Sequence, residues 1–172
     1  MKSFEEKGVK LRSLKGKTWP FLILIVIIVA AAVVFLSKEI FLLQLENTDH
    51  PRVVQVRIDP SEPFSIFYVH SIYRDAVIEE FQADRDGIVL KGVRTKSSAI
   101  QEYYGFEGTK DFHPLNIKLG AIFIRVGEGE GQGLVVREQK IYLSEVGNRG
   151  DRMRLRVRSL SLGQYLYSRL FE

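Results

Sequence analysis

His70, Glu79 and Arg94 are the three side chains of this sequence whose types and spacing could do chemistry together. The stretch FYVHSIYRDAVIEEF, residues 67–81, reads as an apolar hairpin carrying one histidine and an acidic pair. A reversal centred on Arg74-Asp75 sets Ile72 opposite Val77 and therefore His70 opposite Glu79, close enough to interact across an antiparallel pair. A second reversal at Asp86-Gly87, a favoured hairpin dipeptide, brings in residues 88–95 as a third strand. Glu79 then lies opposite Arg94, or opposite Gly92 with Arg94 diagonal, and both registers keep the two on one face. That face also carries Phe64, Ile66, Tyr68, Ile72, Val77, Phe81, Ile88 and Leu90, which is the inventory of a core. Charged groups there must be paired and hydrogen-bonded. Two readings follow: an ion network that fixes strand register, or the polar floor of a pocket in which Arg94 meets an anion and His70 moves a proton.

Around this hairpin the sequence resembles a family of small exported bacterial proteins, domain-of-unknown-function family 1850, associated with TAXI-type tripartite (TRAP) transporters. The family shows an aromatic residue, a short gap to His-Ser, a Val-x-Glu-x-aromatic segment and a Gly-x-x-Leu strand ending in Arg-x-x-Ser. Here these are Tyr68, His70-Ser71, Val77 with Glu79 and Phe81, and Gly87 with Leu90, Arg94 and Ser97. The likeness covers 64–98 well and the later strands loosely. Where the family continues into a Gly-Ala-Gly-Leu-Pro loop, this chain has SAIQEYYGFEG. The resemblance implies an accessory partner of a tripartite uptake system, with Tyr68, Ser71 and Ser97 as supporting motif positions. It implies no reaction and no cofactor.

Other groupings carry less chemistry. His50, His70 and His113 show no His-x-His or His-Glu-x-x-His spacing, so no metal site is expected. Ser71 beside His70 suggests a hydrolase, yet neighbours along a strand point to opposite faces, and no Gly-x-Ser-x-Gly elbow occurs. The run GEGEGQG at 127–133 lacks the Lys-Ser/Thr of a phosphate loop, and its glutamates would repel phosphate. Between AIFIRV and LVVREQKIYL it reads as a hairpin loop. Arg152, Arg154, Arg156 and Arg158 alternate with apolar residues, giving one strand a basic face: a charged solvent face, or a docking stripe for headgroups or an acidic partner.

The elements that must position these residues begin with an anchor. Residues 19–37 contain no charge, and the 18 residues of 19–36 span about 27 Å as a helix, enough to cross a bilayer. The tail 1–18 carries six basic and two acidic residues, a net +4 that equals the charge of the whole chain. The positive-inside rule then places the N-terminus in the cytoplasm and residues 38–172 outside. The location of the excess charge argues against a nucleic-acid partner, and the absence of cysteine excludes a disulfide framework. Beyond the anchor, short alternating runs at 40–45, 53–58, 64–72, 77–82, 88–95, 121–126, 134–143 and 153–157 predict an antiparallel sandwich or barrel. Leu162, Tyr165, Leu166 and Leu170 at helical spacing predict a short closing helix. Expected, then, is a single-pass extracytoplasmic β domain acting as an accessory or ligand-binding module. The alternatives are a tethered scaffold without a ligand, and a hydrolase or isomerase using His70 and Glu79 as acid and base.

Overall fold

The computed structural model describes residues 19–108, 110–127 and 131–171; the basic tail 1–18 and residues 128–130 of the glycine-rich run lie outside them. Two compact units are present, Met1–Lys38 and Glu39–Glu172. In the first, α1 (Trp19–Leu36) is one uninterrupted helix, long and apolar enough to span a membrane.

The second unit is mainly β, with two antiparallel sheets that do not close into a barrel. Its first sheet orders β2 (Val53–Ile58), β1 (Glu39–Asn47), β10 (Arg152–Ser161) and β7 (Ile122–Arg125) side by side. The second orders β6 (Phe112–Leu119), β5 (Gly87–Arg94), β4 (Ala76–Asp84), β3 (Pro63–Val69), β8 (Gly133–Val136) and β9 (Gln139–Tyr142). Strand alternation sends Leu43, Leu45, Ile58, Met153 and Leu155 from one sheet, and Phe64, Ile66, Phe81, Ile88 and Leu134 from the other, into one shared core. A second, smaller cluster of Val77, Val93 and Ile100 lies apart from it, with Phe106 and Leu115 packed on it. Ile100 comes from α2 (Ser98–Tyr103), in the segment that stands where the resembled family has its glycine loop. A single turn, α3 (Leu143–Val146), follows β9, and the predicted closing helix is α4 (Leu162–Phe171).

Several expectations need correction. The β3–β4 hairpin is not closed tightly at Arg74-Asp75. Residues 70–75 form a wide turn, in which the His70 amide donates to the Asp75 carbonyl (2.9 Å) and the Arg74 amide to the His70 carbonyl (2.8 Å). Strand β3 therefore ends at Val69, Tyr68 faces Val77, and Glu79 faces Ile66 instead of His70. Second, the β4–β5 ladder begins with Asp84 opposite Gly87 but shifts register between Glu80 and Phe81, leaving Lys91 without an opposite residue. One extra residue inverts the in–out alternation beyond it. Val93, not Arg94, joins Glu79 on the inner face, and Arg94 pairs with Ile78 on the outer face.

The third correction concerns 127–133. This stretch does not close a hairpin: β7 belongs to the first sheet and β8 to the second, so the chain crosses between sheets there. The run 134–143, expected as one strand, is itself a hairpin that turns at Arg137 (φ 55°), whose guanidinium meets Glu62 at 2.6 and 2.9 Å.

Candidate functional site

Glu79 sits on the inner face of β4 between Ile66 of β3 and Val93 of β5, where the main core gives way to the smaller cluster. Its carboxylate accepts a hydrogen bond from the Tyr68 hydroxyl at 3.0 Å, and that hydroxyl lies 2.7 Å from the Tyr104 hydroxyl. With the Tyr68 proton committed to Glu79, Tyr104 donates to Tyr68, so the three groups form a one-directional chain. No ion pair reaches Glu79 among the described residues. Burial pushes its carboxyl above the usual carboxylate range, and the Tyr68 hydrogen bond pulls it back only in part. Burial, with the neighbouring hydroxyl and carboxylate, raises Tyr68 as well, and burial raises Tyr104; both phenols stay protonated as donors.

Tyr104 follows α2, which is why spacing within the hairpin did not disclose it. The same segment assembles a run of rings: Tyr103 on His70 (5.2 Å between centroids), Tyr104 on Tyr103 and on Phe106, and Phe106 stacked on His113 at 4.3 Å.

Tyr68 also lines a cleft of about 850 Å³, together with Val69, His70, Ser71, Arg74, Arg125, Val126, Gly127, Gly131, Gln132 and Arg149. Its walls come from the β3–β4 turn and the end of β7. Three of these lining residues are arginines. The turn is shaped by His70, whose Nδ1 accepts from the Ile72 and Tyr73 amides at 3.4 and 3.5 Å and whose ring is nearly buried. That acceptor role leaves the ring proton on Nε2. Arg74 takes a left-handed conformation (φ 58°), which turns the chain back toward β4.

No family model, curated protein or solved structure matches the chain. The resemblance noted above therefore rests on its motif residues, and their places can be read off the structure. Tyr68 and Glu79 are brought together; His70 and Ser71 line the cleft beside Tyr68. Arg94 and Ser97 are not part of this assembly. The Arg94 guanidinium holds the partly exposed Glu80 at 2.8 Å and lies over the Phe112 ring at 5.0 Å, on the opposite face of the sheet. Ser97 precedes α2 without capping it through its side chain, beside a smaller depression of about 410 Å³ that Arg94 and Asp111 share. His70 and Glu79 are not register partners: Glu79 stands opposite Ile66, and His70 lies in the turn.

The basic face of β10 is neutralised in part by β1: Arg154 and Arg156 share Glu46 at 2.9 and 3.2 Å, and Arg158 donates to Gln44 at 3.1 Å. These half-exposed pairs hold Glu46 below the usual carboxylate range, chiefly through the Arg154 hydrogen bond. The three histidines occupy three settings: His50 near Asp151, His70 in the turn, and His113 under Phe106.

Proposed function

We propose that the protein is a membrane-anchored binding module that takes a small organic anion in the cleft between the β3–β4 turn and the end of β7. The observation that carries this reading is the composition of the cleft: Arg74 and Arg125 line it with Ser71, Tyr68 and Gln132. A guanidinium offers a planar donor fork that matches a carboxylate or phosphate, and the hydroxyls and amide supply orienting contacts. The volume suits a metabolite-sized ligand. The charge of the tail 1–18 supports an orientation with the binding unit outside the cytoplasm, and the motif resemblance supports a place beside a tripartite uptake system.

The test is a thermal-shift and calorimetric screen of the full chain in detergent micelles against small mono- and dicarboxylates and inorganic phosphate. A ligand is expected to raise the melting temperature, with affinity falling roughly 10- to 100-fold in Arg74→Gln and Arg125→Gln and unchanged in Arg94→Gln. No shift with any of these anions, or a shift that survives both cleft substitutions, overturns the proposal.

A further inference from the structure

We infer that α4 is an interfacial helix, lying in the headgroup boundary of the same bilayer that α1 is apolar enough to cross; this rests on reading α1 as an anchor. Helix α4 is well founded at its start, where Ser161 and Gln164 form a reciprocal box: the Gln164 amide donates to Ser161 Oγ (3.2 Å) and the Ser161 amide to Gln164 Oε1 (3.0 Å). At 100° per residue, Leu166, Leu170, Tyr167 and Phe171 fill one continuous arc, interrupted only by Gly163. These four side chains are 42%, 76%, 67% and 73% exposed, while Leu162, Tyr165 and Ser168 on the other side are half-buried. Tyr167 and Phe171 bring their rings to 4.8 Å, making a single apolar wedge. A contiguous face of this kind marks an interaction site.

What covers it follows from chain connectivity. Ser161, immediately before α4, is the register partner of Glu39 at the start of β1. Glu39 is the third residue after Leu36, so chain length holds it within about 11 Å of the end of α1 whatever direction the strand takes. A paired Cα adds about 5 Å. The first turn of α4 thus starts within reach of the polar zone in which the chain leaves the hydrocarbon. The side chains suit that zone. Tyr165 and Tyr167 are interfacial residue types, and Arg169, stacked over Tyr165 at 5.6 Å, can keep its charge at headgroup level. Arg57 and Arg158, both opposite Leu42, and Lys38 add positive charge at this end, against Glu39 and Asp59. Lipid headgroups and the upper acyl chains are the occupant this combination fits.

The chain contains no cysteine, so single reporters can be placed at will. Full-length protein carrying Leu166→Cys, Leu170→Cys or Phe171→Cys, each labelled with an environment-sensitive fluorophore, is reconstituted into phosphatidylcholine–phosphatidylglycerol vesicles. The labels are then quenched from water with iodide and from the bilayer with nitroxide lipids. Lys91→Cys on the exposed bulge and Ile27→Cys in mid-span serve as the aqueous and membrane references. The expected result is iodide quenching several-fold weaker than at Lys91, with strong quenching by nitroxides near the glycerol end of the acyl chains. Quenching by iodide as strong as at Lys91, with Ile27 in lipid, overturns the inference alone. Shielding from both quenchers also overturns it, because a second copy or another protein then covers the face. An Ile27 label open to iodide overturns the anchor and the inference together.

Discussion

Glu79 meets the cost of burial with one phenol hydroxyl, that of Tyr68, which Tyr104 supports in turn, and with no cation among the described residues, so its charge is costly to hold. Because its folded carboxyl titrates above the unfolded value, the folded state holds its proton more tightly. Linkage then gives a stability contribution fully present below the unfolded carboxylate pKa and lost as pH rises through the folded one. Glu79→Gln keeps an acceptor for Tyr68 and removes the ionisation. Melting temperature measured against pH should show the variant more stable than the native chain at neutral pH, with the difference shrinking in acid; a native-like profile would assign the pH dependence elsewhere. At this scale the sequence was informative for residue type and less so for partnership. Tyr68 and Glu79 could be named from the hairpin, since two residues on facing strands share a short stretch of chain. Tyr104 could not, because it arrives through a loop whose path no strand periodicity encodes.

Element boundaries followed from alternation and turn residues: β2 falls where its apolar period predicts, and β1, β4, β5 and β10 differ from expectation mainly at their ends. The errors share a physical cause. Alternation reports which residues can share a face only while the pleat is unbroken, and the bulge at Lys91 breaks it between Leu90 and Gly92. Edge strand β6 was missed because Pro114 reads as a breaker; an edge tolerates it, and here it lies opposite Gly92. The Ser161–Gln164 box at the head of α4 was legible in SLGQ but is a weaker signal than apolar spacing. Gly92 makes the element-scale prediction. A methyl group there would enter the Phe112 ring and come within 2.7 Å of the His113 carbonyl oxygen. Gly92→Ala should therefore force β6 outward and cost about 1–3 kcal/mol. Urea unfolding would register this as a lower midpoint at unchanged slope, and an unchanged midpoint would mean that β6 moves freely.

Across the whole molecule the arrangement is unequal, four strands facing six, and the apolar interior is divided accordingly into a large cluster and a small one. Fold class was accessible from the texture of the chain; the crossing at 127–133 was not, since a glycine-rich run between two strands looks the same whether it joins neighbours or changes sheets. Among the described residues only Tyr68 is packed against both clusters, and Glu79 lies at their border. The smaller cluster, to which α2 contributes Ile100 and on which Phe106 packs, is expected to open more readily than the paired strands β1 and β10. Hydrogen exchange should show the Gln101 and Tyr104 amides opening at lower free energy than those of β1, after correction for intrinsic rates. The gap should widen as pH rises through the Glu79 transition and narrow in Glu79→Gln; uniform protection across both regions would mean one cooperative body. Such a pH dependence would make a single proton the control on how often one end of the domain opens, with Tyr68 shared between that end and the arginine cleft.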